Sequence, residues 1–156
     1  MAGAVSDALA PLAGVGRTVC SVCGAGVTAA LAWSFAESSE FLVWNTLTLI
    51  CAGGALWVVS SRLGRLRELA WLLGGLTGFG TALTWPAGPS ALTFTVGLIV
   101  FVGLEALIGS PRSQEALPSW FATPWSSVGA GVATAAVLST LRVLLFEPVA
   151  WVVSQA

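Results

Sequence analysis

The chain has 156 residues, of which 56% are hydrophobic and only 8% are charged, and its mean hydropathy is +0.91. Soluble domains carry roughly 25% charged residues, so this composition predicts an integral membrane protein. The sequence contains no histidine, which excludes serine–histidine triads, histidine metal sites, haem ligation by histidine and histidine proton relays.

Apolar segments long enough to cross a bilayer dominate the chain, since a membrane-spanning helix needs ~20 mostly apolar residues. In chain order they cover about residues 12–35, 41–60, 66–85, 92–108 and 128–153. Pro86, Gly88 and Pro89 predict a tight turn after the third segment. A polar connector precedes the last segment, and part of it, residues 114–121, is a candidate for a short helix on the membrane surface. We therefore predict an all-α, polytopic membrane protein with about five transmembrane helices.

The arginines predict how the chain is oriented in the membrane. Those that fall on one side of this topology are Arg17, Arg62, Arg65, Arg67 and Arg112. Short loops rich in arginine stay in the cytoplasm. We therefore expect a multi-pass protein of the bacterial cell membrane, with its N-terminus in the cytoplasm and its C-terminus outside.

The third segment contains a cluster of glycines and threonines, WLLGGLTGFGTA, over residues 71–82. Each glycine costs a helix interior ~1 kcal/mol relative to alanine. Backbone groups freed by a helix break at membrane depth are tolerated only where protein or a water-filled cavity satisfies them. We therefore expect an interrupted third helix whose backbone contacts an ion, a substrate or another helix. The alternative is a packing seam, because small residues let helix backbones approach closely.

Polar side chains at membrane depth are further candidates for function. Asn45 lies one turn into the second segment, where an unpaired amide is expensive, and a structural and a functional role are both open for it. Glu105 lies near the cytoplasmic end of the fourth segment, where its carboxylate can snorkel to the interface. Arg142 lies inside the fifth segment and either pairs loosely with Glu147 or docks against a partner subunit. We expect structural roles for Glu105 and Arg142.

Cys20 and Cys23 form a Cys-x-x-Cys pair, a spacing found in redox couples and in half of a metal site. No second pair completes a zinc site, and cysteines also fill apolar helix interfaces. The pair falls in the cytoplasmic half of the first helix, whereas disulfide-forming enzymes work on the oxidising side. A membrane thiol oxidoreductase is therefore the least favoured function, and we expect no enzymatic activity.

Residues 74–82, GGLTGFGTA, resemble the signature of the small bacterial fluoride channels, the Fluc or CrcB family, whose third helix carries GGFTTFSTF; five of nine positions match. Asn45 lies in the second segment at a position like that of the family's pore asparagine. Leu66 and Arg67 lie where a Leu-Arg pair begins the third helix of family members. Residues 14–17 loosely resemble a glycine–arginine motif on the family's first helix. The resemblance covers about residues 10–109. It implies a four-span, channel-like domain over residues 1–109, followed over residues 110–156 by a connector and a fifth helix without a counterpart.

The resemblance implies a passive anion pore. Asn45, Phe79 and Thr81 would line the anion path, because an amide and a hydroxyl donate hydrogen bonds and an aromatic ring has an electropositive edge. Gly74 and Thr77 would offer backbone carbonyls to a structural sodium ion at the helix break. We expect no other metal or cofactor. The residues expected to pack helices or contact a partner are Gly75, Gly78, Gly80 and Arg142.

Two features depart from the family pattern. Ala82 stands where the signature ends in phenylalanine, and Gly78 and Gly80 replace a threonine and a serine.

Family members are antiparallel dimers, but the one-sided arginines oppose antiparallel pairing of this chain with itself. We therefore expect a hetero-oligomer with another membrane subunit in the lipid bilayer, and no nucleic-acid partner. The alternative is a non-catalytic accessory subunit of a larger membrane complex, which the fifth helix and Arg142 favour.

Overall fold

A computed structural model shows the chain as a bundle of helices and describes residues 2–36, 40–84, 90–116 and 123–146, with residues 148 and 155 in addition. The helices, in order, are α1 (Ala2–Phe35), α2 (Phe41–Ser60), α3 (Leu63–Thr84), α4 (Ala91–Gly109), α5 (Pro111–Ala116) and α6 (Trp125–Leu141). A π-helical turn over Arg142–Phe146 continues α6. No β-strand occurs in these described ranges.

Four helical stretches are long and apolar enough to cross a membrane: Gly14–Phe35, Phe41–Ser60, Ala91–Gly109 and Trp125–Leu145. Their large exposed side chains are mostly aliphatic or aromatic, as a lipid-facing surface requires. The predicted all-α, multi-pass membrane fold is therefore confirmed. The remaining long helix, α3, carries Arg65, Arg67 and Glu68 in its first turns.

The helix α3 occupies the centre of the bundle. It packs against α1, α2 and α6, while α4 lies mainly against α1 and α6. Its buried positions run from Ala70 to Leu83 and include all four glycines of the cluster. The neighbouring helices thus shield α3, the least apolar of the long helices, from lipid. This shielding explains how a helix rich in glycine and threonine is stable at membrane depth.

The predicted interruption of the third helix at the glycine cluster is wrong. The only non-helical backbone angles within α3 are at Leu66 (φ −127°, ψ 29°), near the arginine-rich turn, and the helix is continuous from there to Thr84. The hydroxyls of Thr77 and Thr81 each donate to the carbonyl four residues earlier, at 2.8 Å. Tight packing of neighbouring helices on the glycines outweighs their low helix propensity.

Several predictions about connectors can be compared only in part. The short helix α5 (Pro111–Ala116) overlaps the beginning of the surface helix predicted for residues 114–121. Residues 117–122 lie outside the described residues, as do the predicted turn at residues 85–89 and Glu147. Within the part that the structure describes, the predicted fifth helix begins at Trp125 and reaches Phe146 through its π-helical end.

Candidate functional site

Glycines bring α3 and α1 into direct backbone contact. A side chain at Gly75 would collide with the carbonyl of Ser21, and a side chain at Gly24 would collide with the backbone of α3. The hydroxyl of Thr28 donates to the carbonyl of Leu76 across the same interface, at 3.0 Å. The interface between these two helices is therefore one that tolerates only small residues.

A second glycine seam joins α3 to α6. A Cβ at Gly131 would collide with the carbonyl of Gly78, and a Cβ at Gly78 would collide with the carbonyl of Ser127. The hydroxyl of Ser127 is also hydrogen-bonded to the hydroxyl of Ser21 in α1, at 2.8 Å. The structure therefore shows the alternative interpretation of the glycine cluster, a seam of close helix packing on both sides of α3.

The two residues predicted to hold a sodium ion lie inside the intact helix. A Cβ at Gly74 would lie 2.7 Å from the carbonyl oxygen of Pro124, the residue that precedes α6. The carbonyl of Thr77 accepts a hydrogen bond from the hydroxyl of Thr81. The break that would have turned these carbonyls toward an ion does not occur, because the helix is packed on two sides. No group of three or more Cys, Asp or Glu residues that could hold a metal ion occurs among the described residues. Gly80, the last glycine of the cluster, packs against Leu49 of α2.

Asn45 lines a small cavity between α1 and α2. Its side chain is 7% exposed, and its amide nitrogen Nδ2 has no hydrogen-bond partner. The cavity has a volume of about 40 Å³. Its other lining residues are mostly apolar or aromatic: Thr28, Leu31, Ala32, Phe35, Phe41, Trp44 and Thr48. A volume of this size has room for one small ion or a few water molecules.

The other polar side chains around this cavity donate elsewhere. Thr28 donates its hydroxyl proton to backbone carbonyls, and Thr48 donates to the carbonyl of Trp44 at 2.8 Å. The indole N–H of Trp44 donates to the carboxylate of Glu40 at 2.8 Å. The amide of Asn45 is therefore the donor that remains for an occupant of the cavity.

Two residues expected beside Asn45 on an anion path do not line its cavity. The ring of Phe79 is fully buried and packs edge-on against Phe101 of α4, with ring centroids 5.6 Å apart and an interplanar angle of 66°. Thr81 is half-buried and donates to a carbonyl of its own helix. Within one chain, the cavity at Asn45 is thus lined by α1 and α2, including the aromatic rings of these helices, and not by Phe79 and Thr81 of α3.

The most polar position in the bundle was not predicted as a site. Arg17 of α1 and Glu105 of α4 are 4% and 0% exposed, and Glu105 lies within electrostatic range of Arg17. The guanidinium of Arg17 lies over the ring of Trp71, 4.9 Å from its centroid, and beside Gly109. The expectation that Glu105 snorkels to the interface is wrong, because its side chain is fully buried.

The sequence did carry a signal for this pair. Arg17 lies five residues after the start of the predicted segment 12–35, and Glu105 lies three residues before the end of the predicted segment 92–108. In the predicted topology both positions are at the cytoplasmic side and at similar depth. Opposite charges at similar depth on different spans predict a contact, which neither the orientation signal of Arg17 nor its place in the glycine–arginine motif conveys.

The remaining candidate residues lie apart from these sites. Cys20, Cys23 and Cys51 are free thiols, and the last two are exposed on the outer surface of α1 and α2. Arg142 is exposed at the start of the π-helical turn. Together with Ser90 it lines a mostly apolar groove of about 380 Å³ between α4 and the end of α6.

Comparisons of the chain with protein-family models, with curated proteins and with solved structures found no match. The resemblance to the fluoride channels therefore stays a prediction. The structure itself shows a multi-helix membrane bundle with two polar sites, one at Asn45 and one between Arg17 and Glu105.

Proposed function

We propose that this protein is a channel-like subunit of the cell membrane that binds a small anion at Asn45. The observation that supports this function is the amide nitrogen of Asn45, which is buried at a cavity wall without a hydrogen-bond partner. A buried donor left unsatisfied costs roughly 1–3 kcal/mol. An anion in the cavity would accept from this amide and remove that cost.

The cavity favours a small anion over other occupants. Its volume of about 40 Å³ has room for a single small anion such as fluoride. The rings of Phe41 and Trp44 form part of its wall, and aromatic edges carry partial positive charge.

A complete anion path would require a second subunit. The Asn45 cavity lies between α1 and α2, whose outward residues Trp44 and Leu42 are 45% and 60% exposed. A partner helix on this surface would close the cavity and extend it. The arginine bias, with the N-terminus in the cytoplasm, favours a different chain of opposite orientation as that partner.

Fluoride efflux tests the proposed function. We expect vesicles of native cell membrane that contain the full chain and its partners to release fluoride above the rate of vesicles that lack the chain. Asn45→Leu keeps the side-chain size but removes the donor, and should reduce this release at least about tenfold, because a hydrogen bond to a charged group is worth ~1.5–3 kcal/mol. Thr46→Val, at the exposed neighbouring position, should leave it unchanged. Equal release with and without the chain would contradict the proposal.

A non-catalytic accessory subunit is the second candidate function. The unbroken α3, held by glycine seams to both α1 and α6, favours this role, because it supplies rigid packing without exposed backbone. In this role the Asn45 amide would donate to a carbonyl of the partner helix. Purification in mild detergent distinguishes the two: a stoichiometric large partner that Asn45→Leu releases, with no fluoride flux, would favour the accessory role.

A further inference from the structure

A second unsatisfied polar site lies roughly 16 Å along α1 from the Asn45 cavity, the length of 11 helical residues between Thr28 and Arg17. Four of its atoms are buried without a hydrogen-bond partner: Nε and Nη2 of Arg17 and both carboxylate oxygens of Glu105. The two nitrogens form one edge of the guanidinium, the edge that binds acceptors in a two-pronged manner. The hydrogen-bonding edge of Arg17 and the carboxylate of Glu105 are thus both buried and unpaired.

The contacts around this pair do not replace the missing hydrogen bonds. Trp71, 3% exposed, offers Arg17 the face of its ring, which attracts a cation but accepts no ordinary hydrogen bond from its N–H edge. Glu105 balances the charge of Arg17 at a distance. Arg67 of α3 also lies within electrostatic range and adds a like charge. Buried charges of this kind are stable only when both charge and hydrogen bonds are compensated.

The chemistry of the Arg17 guanidinium edge and the Glu105 carboxylate defines what could bind to both of them. The occupant must accept hydrogen bonds from Arg17 and donate hydrogen bonds to Glu105. A halide cannot donate and would be repelled by the carboxylate, and a metal cation would be repelled by the guanidinium. Water both accepts and donates hydrogen bonds, and the two residues lie about 4–8 Å inside the ends of the predicted segments 12–35 and 92–108, within reach of the interface.

We propose that Arg17 and Glu105 bind at least one water molecule between them and form a water-bridged ion pair that holds α1 against α4. The water accepts from the Nε–Nη2 edge of Arg17 and donates to the Glu105 carboxylate. Gly109 makes room for this arrangement, because a Cβ there would lie 2.9 Å from Nη2 of Arg17. The site is independent of the proposed anion site and holds whether or not the protein conducts ions.

Radiolytic hydroxyl-radical footprinting of the full chain in lipid nanodiscs detects the bound water. Radicals formed from a bound water oxidise adjacent side chains that bulk solvent cannot reach. We expect oxidation of Trp71 and none of Phe79, which is fully buried in an apolar cluster. The double variant Arg17→Met with Glu105→Leu should lower the oxidation of Trp71 several-fold. Protection of Trp71 equal to that of Phe79 in the unaltered chain would overturn the proposal.

A double-mutant cycle on the thermal unfolding midpoint tests the ion pair itself. Arg17→Met and Glu105→Leu should each lower the midpoint more than the double variant does, because each single change leaves one buried charge uncompensated. Glu105→Gln should also lower it, since it keeps the shape and removes the charge. Gly103→Ala, at an open position of α4, is the control and should not lower it. Additive single effects, or a Glu105→Gln variant as stable as the original, would show that no such pair exists.

Discussion

At the scale of the residue, the buried polar side chains divide into two groups. Ser21 shares a hydrogen bond with the hydroxyl of Ser127. Thr28 donates to a carbonyl of α3, and Thr77 and Thr134 donate to carbonyls of their own helices. Asn45, Arg17 and Glu105, by contrast, each have a buried polar atom without a hydrogen-bond partner. In hydrocarbon this difference separates side chains whose hydrogen bonds are made within the bundle from those that await a ligand or a water.

Thr28 provides a prediction for the first group. Its hydroxyl lies 3.1 Å from the carbonyl of Gly24 and 3.0 Å from that of Leu76, so Thr28→Val removes the link to α3 and keeps the shape. We expect a loss of about 0.6 kcal/mol in unfolding free energy, the average for hydrogen bonds between membrane helices. Denaturant titration in detergent micelles measures it, with the exposed Thr46→Val as control. An unchanged midpoint for Thr28→Val would show that this bond contributes nothing.

Residue type and depth were enough to identify Asn45 from the sequence, because an amide inside an apolar segment is conspicuous. They were not enough to identify its surroundings. Its aromatic neighbours come from α1 and α2, and the ring expected beside it, that of Phe79, packs toward Phe101. Which side of a buried helix a side chain occupies depends on tertiary packing, and the weak amphipathicity of these helices does not reveal it.

At the scale of the element, the sequence predicted the helices well and the glycine cluster only in part. The second helix, for example, ends where its apolar run ends, at Ser60. The interruption predicted for the third was wrong, because glycine content measures local helix propensity and says nothing of the helices that pack on it. Gly75 and Gly78 meet backbones of two different helices, and neither partner could be assigned from the sequence.

Two glycines of α1 allow a matched test of the seam. A Cβ at Gly24 would collide with the backbone of α3, whereas a Cβ at Gly26 would have no neighbouring atom within 4 Å. Gly24→Ala should therefore lower the free energy of unfolding by about 1–3 kcal/mol, the usual effect of overpacking. Gly26→Ala should be neutral or stabilising by up to ~1 kcal/mol, because alanine favours the helix. Equal effects of the two substitutions, measured by thermal unfolding in micelles, would contradict a packed seam between α1 and α3.

At the scale of the whole molecule, the fifth membrane helix is part of the core. The resemblance to fluoride channels covers about residues 10–109 and has no counterpart for α6, yet α6 covers one side of α3 through Gly78 and Gly131. The composition predicted that this segment is a membrane helix but not where it packs. Long-range pairing of small residues leaves no periodic signal that distinguishes one neighbour from another.

Cysteine accessibility tests the orientation that the arginines predict. Ser61 lies in the arginine-rich turn between α2 and α3, and Ser90 lies at the start of α4 on the opposite side; both are exposed. We expect a membrane-impermeant maleimide to label Ser90→Cys in intact cells and Ser61→Cys only after permeabilisation. The unaltered chain, whose thiols Cys20, Cys23 and Cys51 lie within spans, is the background control. Labelling of both variants in intact cells would show insertion in two orientations.

The most direct test of the anion site uses Asn45 itself, which is the only asparagine in the chain. Labelling asparagine side chains with ¹⁵N therefore gives the NMR signals of a single NH₂ group in the full protein, with or without a partner subunit. We expect sodium fluoride to shift these signals in a saturable manner, and an equal concentration of sodium chloride to leave them nearly unchanged. Signals that do not respond to fluoride, or that respond equally to chloride, would contradict the proposal that this amide binds a small anion.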